Sequence, residues 1–235
     1  MAQQRSRARC KGHGAAGTPC GALVSCTSAL PFPRGGRLPF YCHRHLQALL
    51  ARPTMSCKWA TCAVRFKDFI PSHLELRTQV LLRHFMRGPP LRTDKPGYVY
   101  ALKLVDTAHP DLVRIKVGRT ADVARRLYQH RSRCPSFNPF LLGYYPSKTQ
   151  KIYSRPVPFA DLLERLVHLE LTELAARSYP AGKTATRPRC QDCGSVHVEI
   201  FTFKRVPGMP DNYEWEHIVR PVFQRWGRFV SNHVA

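Results

Sequence analysis

"VRIKVGRTADVARRLYQH", residues 113–130, decides how the rest of the chain reads. A short β-branched run ends at Gly118, as a strand does before a tight turn or a close backbone approach. Thr120 and Asp122 have the residue types of a helix start, and residues 121–133 keep a helical spacing with Val123 and Leu127 turned inward. Arg125 and Arg126 stand together in the first turn. The stretch is either an ordinary strand-turn-helix with surface charge or one wall of a phosphate-handling site.

Working outward, "YVYALKLV" at 98–105 is a strand by its β-branched and aromatic content, and "AHPD" separates it from its partner "VRIKV". "PFLLGYYP" at 139–146 supplies a third strand, and the alternating "VHVEIFTFKRV" at 196–206 a fourth. "FADLLERLVHLELTELAARSY" at 159–179 is the strongest helix, with Phe159, Leu162, Leu166, Leu169 and Leu174 near a helical period. A closing amphipathic helix over 212–234 is kinked or restarted at Pro221. The order strand, strand, helix, strand, helix, strand, helix implies an α/β domain over 96–235: a small, mainly antiparallel sheet flanked by helices. Residues 68–95 hold a helix at 73–87, ended by "GPP", and a linker.

Residues 1–67 differ in kind. They contain no acidic residue and six of the nine cysteines, and they lack the apolar periodicity of a self-sufficient core. This basic, cysteine- and histidine-rich extension is either disordered or stapled by metal. Over all 235 residues the formal charge is +22, with 43% hydrophobic residues. A core is therefore affordable, and so large a charge points to a polyanionic partner, whose counterions Lys and Arg release. DNA leads, with RNA open. No apolar run spans a bilayer and no secretory leader is visible, so the expectation is an intracellular, nuclear protein without membrane contact.

"PGYVYAL" at 96–102, "IKVGRT" at 115–120, "VARRLYQH" at 123–130 and "LLERLVHLEL" at 162–171 fall in the order of the GIY-YIG nuclease superfamily. Residues 90–205 resemble most closely its bacteriophage T-five-type DNA-binding branch, as found in fungal proteins. The resemblance implies that a first-strand tyrosine falls on Tyr100, the glycine on Gly118, the helix arginine on Arg126 and the metal-binding carboxylate on Glu164. The second-strand tyrosine is replaced by Lys116. In such a site Glu164 would hold one Mg²⁺ or Mn²⁺, Arg126 would fork onto phosphate, and Tyr100 would orient or deprotonate water. Lys116 reads as a phosphate-binding point charge before a base, beside Arg119 and Arg125 as further phosphate contacts. His168, one turn from Glu164, is either a further site member or a metal ligand.

The intracellular cysteines read as metal ligands. "CQDCGSVH" offers Cys190, Cys193 and His197, three corners of a structural Zn²⁺ site. Cys134 is the first choice for the fourth corner and His168 the second. In the fungal relatives, such an insertion precedes a strand like "HVEIF" here. "RCKGHGAAGTPC" and "FYCHRH" offer a second set, Cys10, Cys20, Cys42 and His45, with Cys26, Cys57, Cys62 and His43 as substitutes. Two functions stay open: a DNA-binding protein, with or without metal-dependent endonuclease activity, and a non-catalytic, zinc-stabilised RNA-binding or protein-interaction module.

Overall fold

The computed structural model describes residues 6–14, 17–26, 40–56, 63–147, 155–180, 189–197 and 199–234. Cys57 and Cys62 lie outside them, as does the side chain of Cys26. The chain divides into two compact units, one up to residue 88 apart from 57–62, the other from residue 89 onward.

In the first unit, β1 (Ser6–Arg9) pairs antiparallel with β2 (Leu23–Cys26), and β3 (Thr54–Ser56) with β4 (Ala63–Arg65). Helix α1 runs His43–Ala51 and α2 runs Leu76–Arg87. The helix expected in a separate linker region over 68–95 belongs to this unit. Val80, Leu81, Leu82 and Met86 of α2 are buried, as are Leu49 and Phe66, so α2 brings the apolar face that the preceding residues lack. Arg83 donates to the Arg52 carbonyl at 2.7 Å and lies 4.4 Å from the Phe66 ring centroid. It thereby satisfies an orphan carbonyl at the end of α1, a helix with no basic residue in its own last turn.

The second unit is built on four antiparallel strands in the order β7-β5-β6-β8: β5 Tyr98–Leu104, β6 Leu112–Thr120, β7 Phe140–Tyr145 and β8 Ile200–Lys204. The mixed α/β class and the antiparallel sheet agree with the sequence reading. Tyr100 stands opposite Gly118 and Leu102 opposite Lys116. Because strand side chains alternate, these four share a face. Tyr100, Leu102 and Leu104 on it pack against Val123 and Leu127 of α3 (Val123–Arg133). Val99, Ala101, Ile115 and Val117 point the other way and are wholly buried. On that side α4 (Ala160–Ser178) packs against β5, β6 and β8, while α5 (Arg220–His233) packs on α4 and β7.

Helix α4 is buried more fully than a single stripe predicts. Leu163, Val167 and Leu171 are as deep as Leu166, while Phe159 and Leu174 are half-buried. The reason is α5, whose Trp226 and Phe229 are themselves fully buried. The α4 N-cap residue, Phe159, has no capping side chain. The oxygens of Asp94, in the "RTDKPG" turn, instead accept from the amides of Asp161 and Leu162 at 2.8 and 3.0 Å. The expected restart at Pro221 takes the form of a π-helical turn over Trp215–Val219, leading into α5 with Pro221 in its first turn. Proline has no N–H to bond back along the helix, so the turn before it widens.

Glu170, 1% exposed, accepts from Trp226 Nε1 at 2.7 Å and pairs with the Arg225 guanidinium. Removing this carboxylate leaves a buried indole N–H and a mostly covered guanidinium without this acceptor. Glu170→Ala is expected to cost about 3 kcal/mol, read by chemical denaturation, with Glu170→Gln losing less because an acceptor oxygen remains. A loss under about 1 kcal/mol for the alanine variant would show that the pair does not hold α4 to α5.

Candidate metal centres and anion-binding face

Ligand atoms of Cys10, Cys20, Cys42 and His45 all lie within 4.8 Å of one another. Cys10 follows β1, and Cys42 is the N-cap of α1, which places His45 one turn into the helix. The His45 Nδ1 is 3.2 Å from Cys42 Sγ and 3.5 Å from Cys10 Sγ. On its other side, Nε2 donates to the His13 carbonyl at 3.0 Å, which fixes the tautomer and turns the Nδ1 lone pair toward the sulfurs. The amides of Gly12 and Cys42 point at Cys10 Sγ from 3.3 and 3.2 Å, as donors to a thiolate do. A Cβ on Gly12 would lie 2.2 Å from the His45 ring, so only glycine lets the imidazole approach. The His45 amide brings the Cys42 thiol down to about 6, while burial pushes Cys10 up.

Cys134, Cys190, Cys193 and His197 form a second set of the same compactness. Cys134 is the C-cap of α3, and Cys190 and Cys193 bracket a tight turn. Gly194 closes that turn at φ +67°, its amide donating to the Cys190 carbonyl at 2.8 Å. His197 Nε2 is 3.4 Å from Cys134 Sγ and 3.5 Å from Cys193 Sγ. Asp192, inside the turn, accepts from the amide and hydroxyl of Ser136, which ties the knuckle to the segment following Cys134. Burial, then the neighbouring sulfurs, pushes the Cys134 thiol up to about 12, whereas the Ser195 amide lowers Cys193. Three crowded sulfurs do not ionise together without a cation among them. Both clusters could hold a metal ion, and three sulfurs with one nitrogen are a soft donor set. All six of these cysteines are free of disulfides.

The face of the sheet under α3 carries the other constellation. A Cβ on Gly118 would sit 2.7 Å from the Tyr100 hydroxyl, so the glycine leaves room for the ring to lie across the strand pair. That hydroxyl is 2.9 Å from His130 Nε2. Burial, followed by the charges of Lys116 and Arg126, pushes the His130 imidazole down to about 4, so the ring is neutral at physiological pH. Lys116, only 7% exposed, places Nζ 3.3 Å from Glu199 Oε2. Arg126, one turn before His130, has its Nε buried with no hydrogen-bond partner. Arg125 is exposed, and its amide donates to the Asp122 side chain that caps α3.

The residues proposed from sequence therefore divide. Tyr100, Lys116 and Arg126 share the α3 face. Glu164 and His168 come from α4 on the other side of the sheet. There the Glu164 carboxylate meets Arg119 Nε at 3.3 Å, and Asp161 takes the Arg119 Nη2 at 3.1 Å. His168 Nε2 donates to the Val117 carbonyl at 3.1 Å, so it braces β6 and stands apart from the Cys134 cluster for which it was an alternative ligand. Three residues at these sites went unselected in the sequence: His130, Glu199 and Asp161. His130 was legible, because it follows Arg126 by four positions on one helix face. Glu199 and Asp161 were not, since their roles depend on how β8 and α4 dock.

A family model described as "Meiotically up-regulated gene 113" matches residues 112–229, from β6 into α5. No curated protein and no solved structure matches the chain.

Metal analysis of the purified chain is expected to find two equivalents. Cys42→Ser and Cys193→Ser should each remove one, and the double variant both. A wild-type protein without bound metal would sink both centres.

Proposed function

The chain belongs to the meiotically up-regulated gene 113 family, and we propose that it is a nucleic-acid-binding protein whose first partner is DNA, with a GIY-YIG-like domain and two structural zinc ions. The observation that carries this reading is Arg126. Among the described residues no carboxylate meets Arg126, whereas Lys116 and Arg119 of β6 already pair with Glu199, Asp161 and Glu164. A half-buried guanidinium that no carboxylate neutralises draws an anion from outside, and its planar fork suits a phosphate. In a chain of formal charge +22, that acceptor belongs to a polyanion. A nuclear address fits such a partner. Each metal set has four ligands and no carboxylate, which suits zinc in a closed, structural role. Zinc there would tie distant segments together and leave the reaction chemistry, if any, to other groups.

Cleavage is a second reading, and one contact favours it: a neutral His130 beside the Tyr100 hydroxyl fixes the direction of the phenol, as a phenol that orients water needs. The arrangement of Glu164 weighs against it. Its carboxylate is neutralised by Arg119, so it does not fit the role of a free ligand for Mg²⁺ or Mn²⁺, and no step is routed through such an ion. Lys116, held by Glu199, replaces the second tyrosine without taking up its chemistry. The reading that joins these contacts is binding ahead of cutting.

Affinity for a duplex oligonucleotide, followed across a salt series, tests the assignment. Arg126→Ala is expected to weaken binding for every sequence and to flatten the log–log salt slope by about one. No measurable affinity in the wild type, or a slope near zero, would refute nucleic-acid binding and leave the protein-interaction alternative. Incubation with plasmid in Mg²⁺ or Mn²⁺ addresses cleavage. The wild type should leave it intact, and nicking abolished by both Tyr100→Phe and Glu164→Ala would establish a nuclease instead.

A further inference from the structure

Helix α3 has a second face, turned away from the sheet. Tyr128 there is 72% exposed, the most exposed of the large hydrophobic side chains among the described residues. A lone exposed tyrosine is ordinary. Its neighbours are not. On a helix the residues three and four positions away flank a side chain. At three positions in either direction stand Arg125 and Arg131, both exposed. At four positions stand Ala124 and Ser132, also exposed and too small to cover the ring. Within α3 there is no acidic residue, and the one carboxylate at its start, Asp122, is engaged by the Arg125 amide. The outcome is a bare aromatic side chain with an arginine three positions to either side, Arg131 also donating from Nε to the Pro139 carbonyl at 3.3 Å.

We propose that this face of α3 is a stacking platform for an unpaired base of a single-stranded nucleic acid, with Arg125 and Arg131 holding the phosphates on either side. The proposal rests on the nucleic-acid reading above and names the form of substrate that reading leaves open. Charge selects the occupant. A second copy of the chain would bring the same arginines against one another, whereas a phosphodiester backbone brings an anion at each nucleotide. Single strands are selected over duplex because paired bases offer a protein only their edges, their faces being covered by neighbouring bases. Stacking on aromatic side chains between cationic contacts is sequence-tolerant, since every base has a π-face.

The test compares affinity for an oligothymidylate, an oligouridylate and a blunt duplex, using the full metal-loaded chain. Tyr128→Ala should weaken both single strands at least about fivefold, the worth of one stacked base, and leave duplex affinity within about twofold. Tyr128→Trp should retain or improve single-strand binding, and quenching of the new indole by the oligothymidylate should report contact directly. Equal losses for both single strands show that the base face and backbone suffice, and an oligouridylate-only loss would restrict the platform to RNA. If wild type and Tyr128→Ala bind single strands alike while both bind duplex, the platform is wrong and the nucleic-acid reading survives. If neither binds any nucleic acid, both fall together. A change in self-association without a change in single-strand affinity would assign the face to a second copy and overturn the proposal.

Discussion

The register between β5 and β6 governs the chemistry of the second unit. Setting Tyr100 against Gly118 and Leu102 against Lys116 puts a phenol and an ammonium on the face that α3 covers. It also sends Val117 and Arg119 to the α4 side. A slip by one residue would exchange the two sets and bury Arg119 where Gly118 now leaves space for a ring. The hydrogen-bond ladder alone does not choose between these registers. Side-chain volume does, because only glycine tolerates the Tyr100 hydroxyl at so short a distance.

Once that register is set, the cations of β6 sort themselves by depth. Lys116 is deep and meets Glu199; Arg119, about a third exposed, meets Asp161 and Glu164. Buried charges require such partners, since an isolated ion in the interior loses far more hydration than packing returns. In a chain with 37 basic and 15 acidic side chains, the buried carboxylate of Glu170 is likewise taken up by the mostly covered Arg225. The surplus of positive charge is left for the surface. Self-repulsion of that surplus works against the compact state.

Much of the second unit was legible because its elements carry their own periodicity. β-Branched and aromatic content marks β5, alternation marks β8, and the Asp122 cap followed by Val123 and Leu127 marks α3. The members of both cysteine–histidine sets were legible as residue types, since a knuckle such as Cys190 to Cys193 has few other uses in a reduced chain. What local pattern could not show is which side of the sheet each helix would cover. The resemblance to a nuclease placed Glu164 beside Tyr100, and helical spacing added His168; in the structure Glu164 meets Arg119 and His168 the Val117 carbonyl. The place of α2 within the first unit was hidden for a similar reason, as its apolar face has meaning only against Leu49 and Phe66.

The Asp94 cap has a kinetic side. Its carboxylate comes from a turn 67 positions before the Asp161 amide it satisfies, so the first turn of α4 lacks its acceptors until the intervening chain has closed on itself. Helices ordinarily carry their caps within a residue or two. Here the start of α4 waits on a long-range contact, and closure of so long a loop precedes any reward from the contacts it makes. The N-terminal turn of the strongest helix in the sequence is therefore tied to the turn that leads into β5, so a change in either reaches the other.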